Sequence, residues 1–177
     1  MALRWAEYRA FAGALSGDPR EIDEEQLATD LVSIIAVEGP VIARRVCERY
    51  LRAVGIKRMG HEIRAKMIRS LRVAIDRGDI EVCHETPGPD LMDETLRMSG
   101  SPQLVVRTRG NRSLEEITPG EIQFVARHIA RTHGVQVGSE EHLRMVLAFF
   151  GLKRLTIQVG DTLHKILDRP LPHVDNG

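Results

Sequence analysis

Aromatic side chains are scarce. One Trp, two Tyr and four Phe make up 4% of 177 residues, so the core has to be built from Leu, Ile, Val, Ala and Met, a composition that favours helices. Cysteine is scarcer still. Cys47 and Cys83 are too few for a disulfide framework and have no C-x-x-C spacing for zinc or redox chemistry, which reads as a reducing, cytoplasmic setting. No apolar run approaches the roughly 20 residues of a membrane span. The opening MALRWAEYRAFAGALSG carries Arg4, Glu7 and Arg9 where an export signal needs an unbroken apolar stretch. The expectation is a soluble chain with no membrane partner.

Signatures of chemistry are missing as well. There is no G-x-x-x-x-G-K-[ST] loop to cradle phosphates and no G-x-S-x-G elbow for a nucleophile. Asp90 follows Pro89 as in some nuclease carboxylate pairs, but no acidic-x-Lys triplet comes after it at the usual spacing. His128 and His133 stand five apart, on different faces of one helix, and Cys83 and His84 alternate across an extended segment, so neither pair has a metal-site spacing. The expectation is a protein with no catalytic residue, metal or cofactor, and not an enzyme.

What the chain does have is segregated charge. The formal net charge is +0, yet residues 41–77 hold eleven Lys and Arg against three Asp and Glu, a local +8. Residues 18–40 hold seven acids against Arg20, a local −6, and 78–103 is acidic too. A chain so divided can offer one face to a polyanion. Arginines on exposed helix faces also serve solubility alone, and Glu62 with Lys66 and Arg72 with Asp76 are i, i+4 neighbours.

Helical periodicity runs through 3–15, 24–37, 41–54 and 60–77, the last two broken by Gly55 and ended by Gly78. The pattern then alternates at 79–84 and 103–108, which predicts a two-stranded hairpin. The Pro- and Gly-rich stretch between reads as a loop with one helical turn near 91–98. A second helical set follows at 119–133, 140–150 and 156–168, with Thr118 as N-cap, Glu121 completing a capping box, and Pro170 and Pro172 as the stop. The expected fold is mainly α: two winged-helix-like (helix-turn-helix) halves with one short β-hairpin wing, divided as 1–108 and 109–177.

GIKRMG at 55–60 is echoed by GLKRL at 151–155, 96 positions on. Laying Gly55 on Gly151 aligns Cys47 with Leu143, Tyr50 with Val146, Ile63 with Val159, Met67 with Leu163 and Leu71 with Leu167. Apolar positions agree while most basic ones do not: Arg44 and Arg45 fall on Glu140 and Glu141, and Arg72 on Asp168. The repeat reads as a duplicated three-helix module in which only the first copy is dressed for a polyanion. Arg44, Arg45, Lys57, Arg58, Lys66, Arg69 and Arg72 are the expected nucleic-acid contacts, with DNA as the partner.

LVSIIAVEGPVIARRVCERYLRAVGIKRMGHEIRAKM, then VVRTRGNRSLEEITPGEIQFVARHI and LAFFGLKRL, resemble the domain of unknown function numbered 3320 over roughly 25–168. The strongest parts are EGPV with RRV, the GIKRMG turn and ITPGEI. That domain typically sits at the C-terminus of large bacterial proteins with a superfamily 1 helicase and a restriction-endonuclease-like domain. The resemblance implies company, not catalysis: a non-catalytic DNA-binding or targeting module of a DNA-processing or defence system. The alternative is a docking module for a helicase or nuclease partner, or for a second copy of itself as a homodimer, acting through the less charged second half.

Overall fold

The computed structural model describes residues 5–86 and 88–170. Among them are six α-helices and one three-stranded antiparallel sheet: α1 Glu24–Glu38, β1 Val41–Ile42, α2 Ala43–Ala53, α3 His61–Asp76, β2 Ile80–Val82, β3 Thr95–Met98, α4 Pro119–His133, α5 Glu140–Phe149 and α6 Ile157–Leu167. The sheet order is β1-β3-β2, with Val41 opposite Leu96 and Ile80 opposite Met98. The chain forms two compact units. The first is Arg9–Gln103, and the second joins the segment ending at Tyr8 to the residues from Leu104 on.

In the first unit α1 starts where Asp23 accepts from the amide of Gln26 at 2.8 Å, with Glu24 and Glu25 at the positive end of the helix. Its stripe of Leu27, Leu31, Ile34 and Ile35 is fully buried and packs chiefly on α3, against Met67 and Leu71. Val46, Cys47 and Tyr50 of α2 and Leu96 of β3 close the core. No side chain caps α2, but the amide of Ala43 donates to the carbonyl of Glu94 at 2.9 Å, so the residue just before the strand that pairs with β1 holds the start of the helix.

The two expected strands are only half right. Residues 80–82 are a strand, but their partner is 95–98, read from the sequence as part of a helical turn; a single 3₁₀ turn, Leu91–Asp93, precedes it. Residues 103–108 form no strand; an isolated bridge, Arg107 with Ala6, lies among them, inside the second unit. The expected helix over 3–15 is absent from its described part. There the amide of Ala6 donates to Val106 and that of Phe11 to a carboxylate oxygen of Glu38, so these amides go to partners distant in sequence rather than along a helix. The second unit therefore has helices and no sheet of its own among the described residues, and the expected division at 108 falls at 103. Pro172 lies outside the described residues.

The second unit buries Ile122, Val125, Leu143, Val146, Leu147 and Leu163. Thr118 caps α4 as expected, and Ser139 and Thr156 cap α5 and α6. The two Gly-Lys-Arg turns share one geometry. Gly55 (φ +79°) donates to Arg52 at 3.2 Å while Ile56 donates to Leu51 at 2.8 Å. Gly151 (φ +68°) donates to Ala148 at 3.0 Å while Leu152 donates to Leu147 at 2.8 Å. Both are Schellman closures, which spend the last helical carbonyls on the two amides beyond the helix. Nothing lies within 4 Å of where a Cβ would stand at either glycine. Gly55→Ala and Gly151→Ala are each expected to cost about 1 kcal/mol in urea denaturation, from backbone strain alone. A much larger loss at either would mean that the glycine is also held by packing.

Candidate nucleic-acid interface

The seven expected contacts divide sharply by position. Arg45 is only 2% exposed, and its Nε donates to Glu38 at 2.9 Å; a guanidinium spent inside the core has nothing left for a phosphate, so Arg45 is removed from the interface. Arg44 is exposed but paired with Asp93 at 2.9 Å. On α3, Arg69 pairs with Glu24 at 2.6 Å, and the half-buried Lys66 donates from Nζ to the carbonyl of Ile22. Lys57, Arg58 and Arg72 are exposed and have no ion pair among the described residues.

The same accounting applies to the whole basic stretch. Six of its eleven cations are paired: Arg44, Arg45, Arg49 and Arg64 with Asp93, Glu38, Glu38 and Asp90, Arg69 with Glu24, and Arg77 with Glu25 and Asp79. The charge segregated along the sequence is thus largely recombined in space. The first unit carries 14 Lys and Arg against 16 Asp and Glu, a formal −2. Arg69 of α3 and Arg77 just beyond its end meet the acidic first turn of α1, while Arg44 and Arg64 meet acids of the segment between β2 and β3. Such half-exposed pairs contribute about 0–1 kcal/mol each to stability, but each puts a carboxylate where a phosphate would have to sit.

What remains free is concentrated at one corner. Arg52 at the end of α2 has no ion pair among the described residues, and it stands with Lys57 and Arg58 around the Schellman turn. An open cavity of about 210 Å³ lies there, lined by Glu48, Leu51, Arg52, Ile56, Lys57 and Met59. Arg52 was not among the expected contacts. Its signal was present, a basic residue in the last turn of a helix that leads into two more basic residues, but it did not stand out in a stretch that is basic throughout.

No group of three His, Cys, Asp or Glu among the described residues could hold a metal ion, and none of the described helices is long and apolar enough to cross a membrane. Burial pushes the thiols of Cys47 and Cys83 up to about 12, so neither offers a thiolate at neutral pH.

One cluster was missed altogether. In the second unit Glu121, fully buried, accepts from Arg112 Nη1 at 2.7 Å and Nη2 at 3.1 Å, from the amide of Arg107 at 3.1 Å and from its Nη2 at 3.3 Å. The Arg112 guanidinium lies 4.3 Å from the centre of the Tyr8 ring. Burial pulls the Arg107 pKa down, offset by the Glu121 charge. The carboxylate expected to reach back to the helix cap is therefore spent on two arginines. It remains in contact with Thr118, whose hydroxyl stands 3.3 Å away.

No curated protein and no solved structure matches the chain. The segments around ITPGEI and GLKRL, which carry the later part of the resemblance, lie outside the one stretch that a family model covers. That stretch is residues 19–65, from the approach to α1 into the first turns of α3 and including EGPV, RRV and GIKRMG, and it matches the family described as Protein of unknown function (DUF3320).

Proposed function

We propose that the first unit is a winged helix that contacts nucleic acid without catalysis, and that it does so through the α2–α3 corner rather than the outer face of α3. The winged-helix reading is supported by the element order α1-β1-α2-α3-β2-β3 with sheet order β1-β3-β2. The observation that carries the contact is the corner itself: Arg52, Lys57 and Arg58 are the exposed cations of the basic stretch, with Arg72, that no acid of the described residues neutralises. Contact there is to phosphates, which gives affinity and little sequence preference. In the setting the family resemblance implies, such a module would hold DNA for a helicase or nuclease partner.

A second reading, docking to a protein partner without DNA contact, is favoured by the recombined charge of α3 and the formal −2 of the unit. Fluorescence anisotropy with duplex and single-stranded oligonucleotides over a range of salt separates the two. Contact through the corner and Arg72 predicts a log–log salt slope of roughly −3 to −4 on duplex DNA. Reversing Arg52, Lys57 and Arg58 to Glu is expected to abolish the binding, and Arg69→Ala to change it little. Glu24→Gln with Glu25→Gln is expected to tighten it and steepen the slope, because Arg69 is then freed, while Arg77 keeps Asp79. Absence of binding at low salt and micromolar protein would replace the nucleic-acid reading with docking.

A further inference from the structure

The corner that carries free cations in the first unit recurs at α5 with different chemistry. Glu48, Leu51, Arg52, Ile56 and Lys57 have Arg144, Leu147, Ala148, Leu152 and Lys153 in their places, and here too the turn borders a cavity, of about 350 Å³. The substitution that matters is Arg52 by Ala148. It removes the central cation and opens the wall, so the cavity continues into a second one of about 510 Å³ that shares Arg144 and Ala148 and reaches back to Glu140, Glu141 and Met145. A shallow groove thus runs along the outer face of α5, with half-exposed Met145 and Leu152 and exposed Ala148 on its walls.

The groove is polarised. Glu140 and Glu141 stand at its start, and Lys153 and Arg154, exposed and without an ion pair among the described residues, stand at its end. Arg144 is turned back onto Glu140, to which it donates at 2.6 Å.

We propose that this face binds a second copy of the same chain, α5 against α5 and antiparallel. Charge complementarity selects this occupant. The acidic start and the basic end of the groove lie towards opposite ends of α5, so two copies laid antiparallel set Glu140 and Glu141 of each towards Lys153 and Arg154 of the other. Such a contact is isologous: one patch meets itself and closes as a dimer. Ala148, small and exposed in the middle of the groove, lets the two helices approach, with the half-exposed Met145 and Leu152 beside it. The apolar area is modest compared with a standard interface, so the dimer should be weak, forming at micromolar concentrations or above. This inference does not rest on the nucleic-acid reading, and each can fail without the other.

Sedimentation equilibrium of the full chain, in low salt and from about 1 μM to a few hundred μM, tests it. The wild type should move from one chain mass towards two. Glu140→Lys with Glu141→Lys should remain monomeric, as should Lys153→Glu with Arg154→Glu, and the chain carrying all four changes should dimerise again, because the pairing is restored with its signs exchanged. Ala148→Arg provides a variant at an exposed helical position that leaves the core untouched, and it should block the dimer by bulk. Circular dichroism checks that each variant is folded. A monomeric wild type at the highest concentration overturns the proposal, as does a dimer indifferent to Ala148→Arg and both reversals, or failure of the folded fourfold variant to regain the dimer.

Discussion

Glu121→Ala is expected to destabilise the second unit by about 3–5 kcal/mol, the cost of leaving buried charge without its partner. The side chain is fully buried, and it answers Arg112, 1% exposed, and Arg107, 7% exposed. Neither arginine can turn outward without dragging the segment that holds it, since Arg112 also donates to the carbonyls of Thr108 and Arg109 at 3.0 and 3.1 Å. Against a typical domain stability of about 5–15 kcal/mol, a loss of this size removes much of what holds the fold. Glu121→Gln keeps the shape and some of the hydrogen bonds but not the charge, and should fall between. The single Trp lies in this unit: Trp5 stacks edge-on against Phe149 with ring centroids 4.5 Å apart. Its fluorescence in a urea titration therefore reports the unit that Glu121 supports. An unchanged Trp transition in Glu121→Ala would mean that the two arginines find other partners, and that the cluster is not what closes the unit.

Six of the seven expected helices and one of the strands were legible and the rest of the sheet was not, for reasons that follow from distance along the chain. Thr118, Ser139 and Gly78 act within one turn of the helices they begin or end, and Met67 and Leu163 repeat at helical spacing, so local reading suffices. β3 at 95–98 has its partners at 41–42 and 80–82, and LRM looks no more extended than many helical triplets; only the pairing makes it a strand. The alternating QLVVRT forms no strand despite its pattern. What it pairs with is Ala6, about a hundred residues away.

Which cations of the candidate interface are paired was hidden from the sequence for the same cause. Local charge was read correctly, but a charge is available only if no acid has been folded against it. Arg69 meets Glu24 across 45 residues and Arg44 meets Asp93 across 49, separations at which no periodicity speaks. Lys57 and Arg58 survive because they are exposed and no acid of the described residues pairs with them. Arg45 shows the strongest reversal: RRV reads as two cations in a row, yet on a helix adjacent residues point about 100° apart, so one can face solvent while the other enters the core.

That buried arginine leads to the last expected result. Glu38 belongs to EGPV and Arg45 to RRV, and their ion pair is what joins the two motifs in space. Glu38 is fully buried, takes the Arg45 Nε at 2.9 Å, lies 3.3 Å from the Arg49 Nε and accepts the amide of Phe11 at 2.8 Å. One carboxylate thus ties the end of α1 to α2 and to the segment that brings Phe11 into the core. Glu38→Ala should cost about 3–5 kcal/mol by the same physics as Glu121→Ala, but in the first unit. Glu38→Ala with Arg45→Met should recover part of the loss, since the charge is then removed together with its partner and an unbranched apolar chain fills the space. Far-UV circular dichroism follows both units while Trp5 follows the second, so the loss should appear in the dichroism transition alone. Movement of both signals together would mean that the two units unfold as one. No loss in either would mean that Arg45 reaches solvent when freed, and it would then return to the candidate interface from which its burial excludes it.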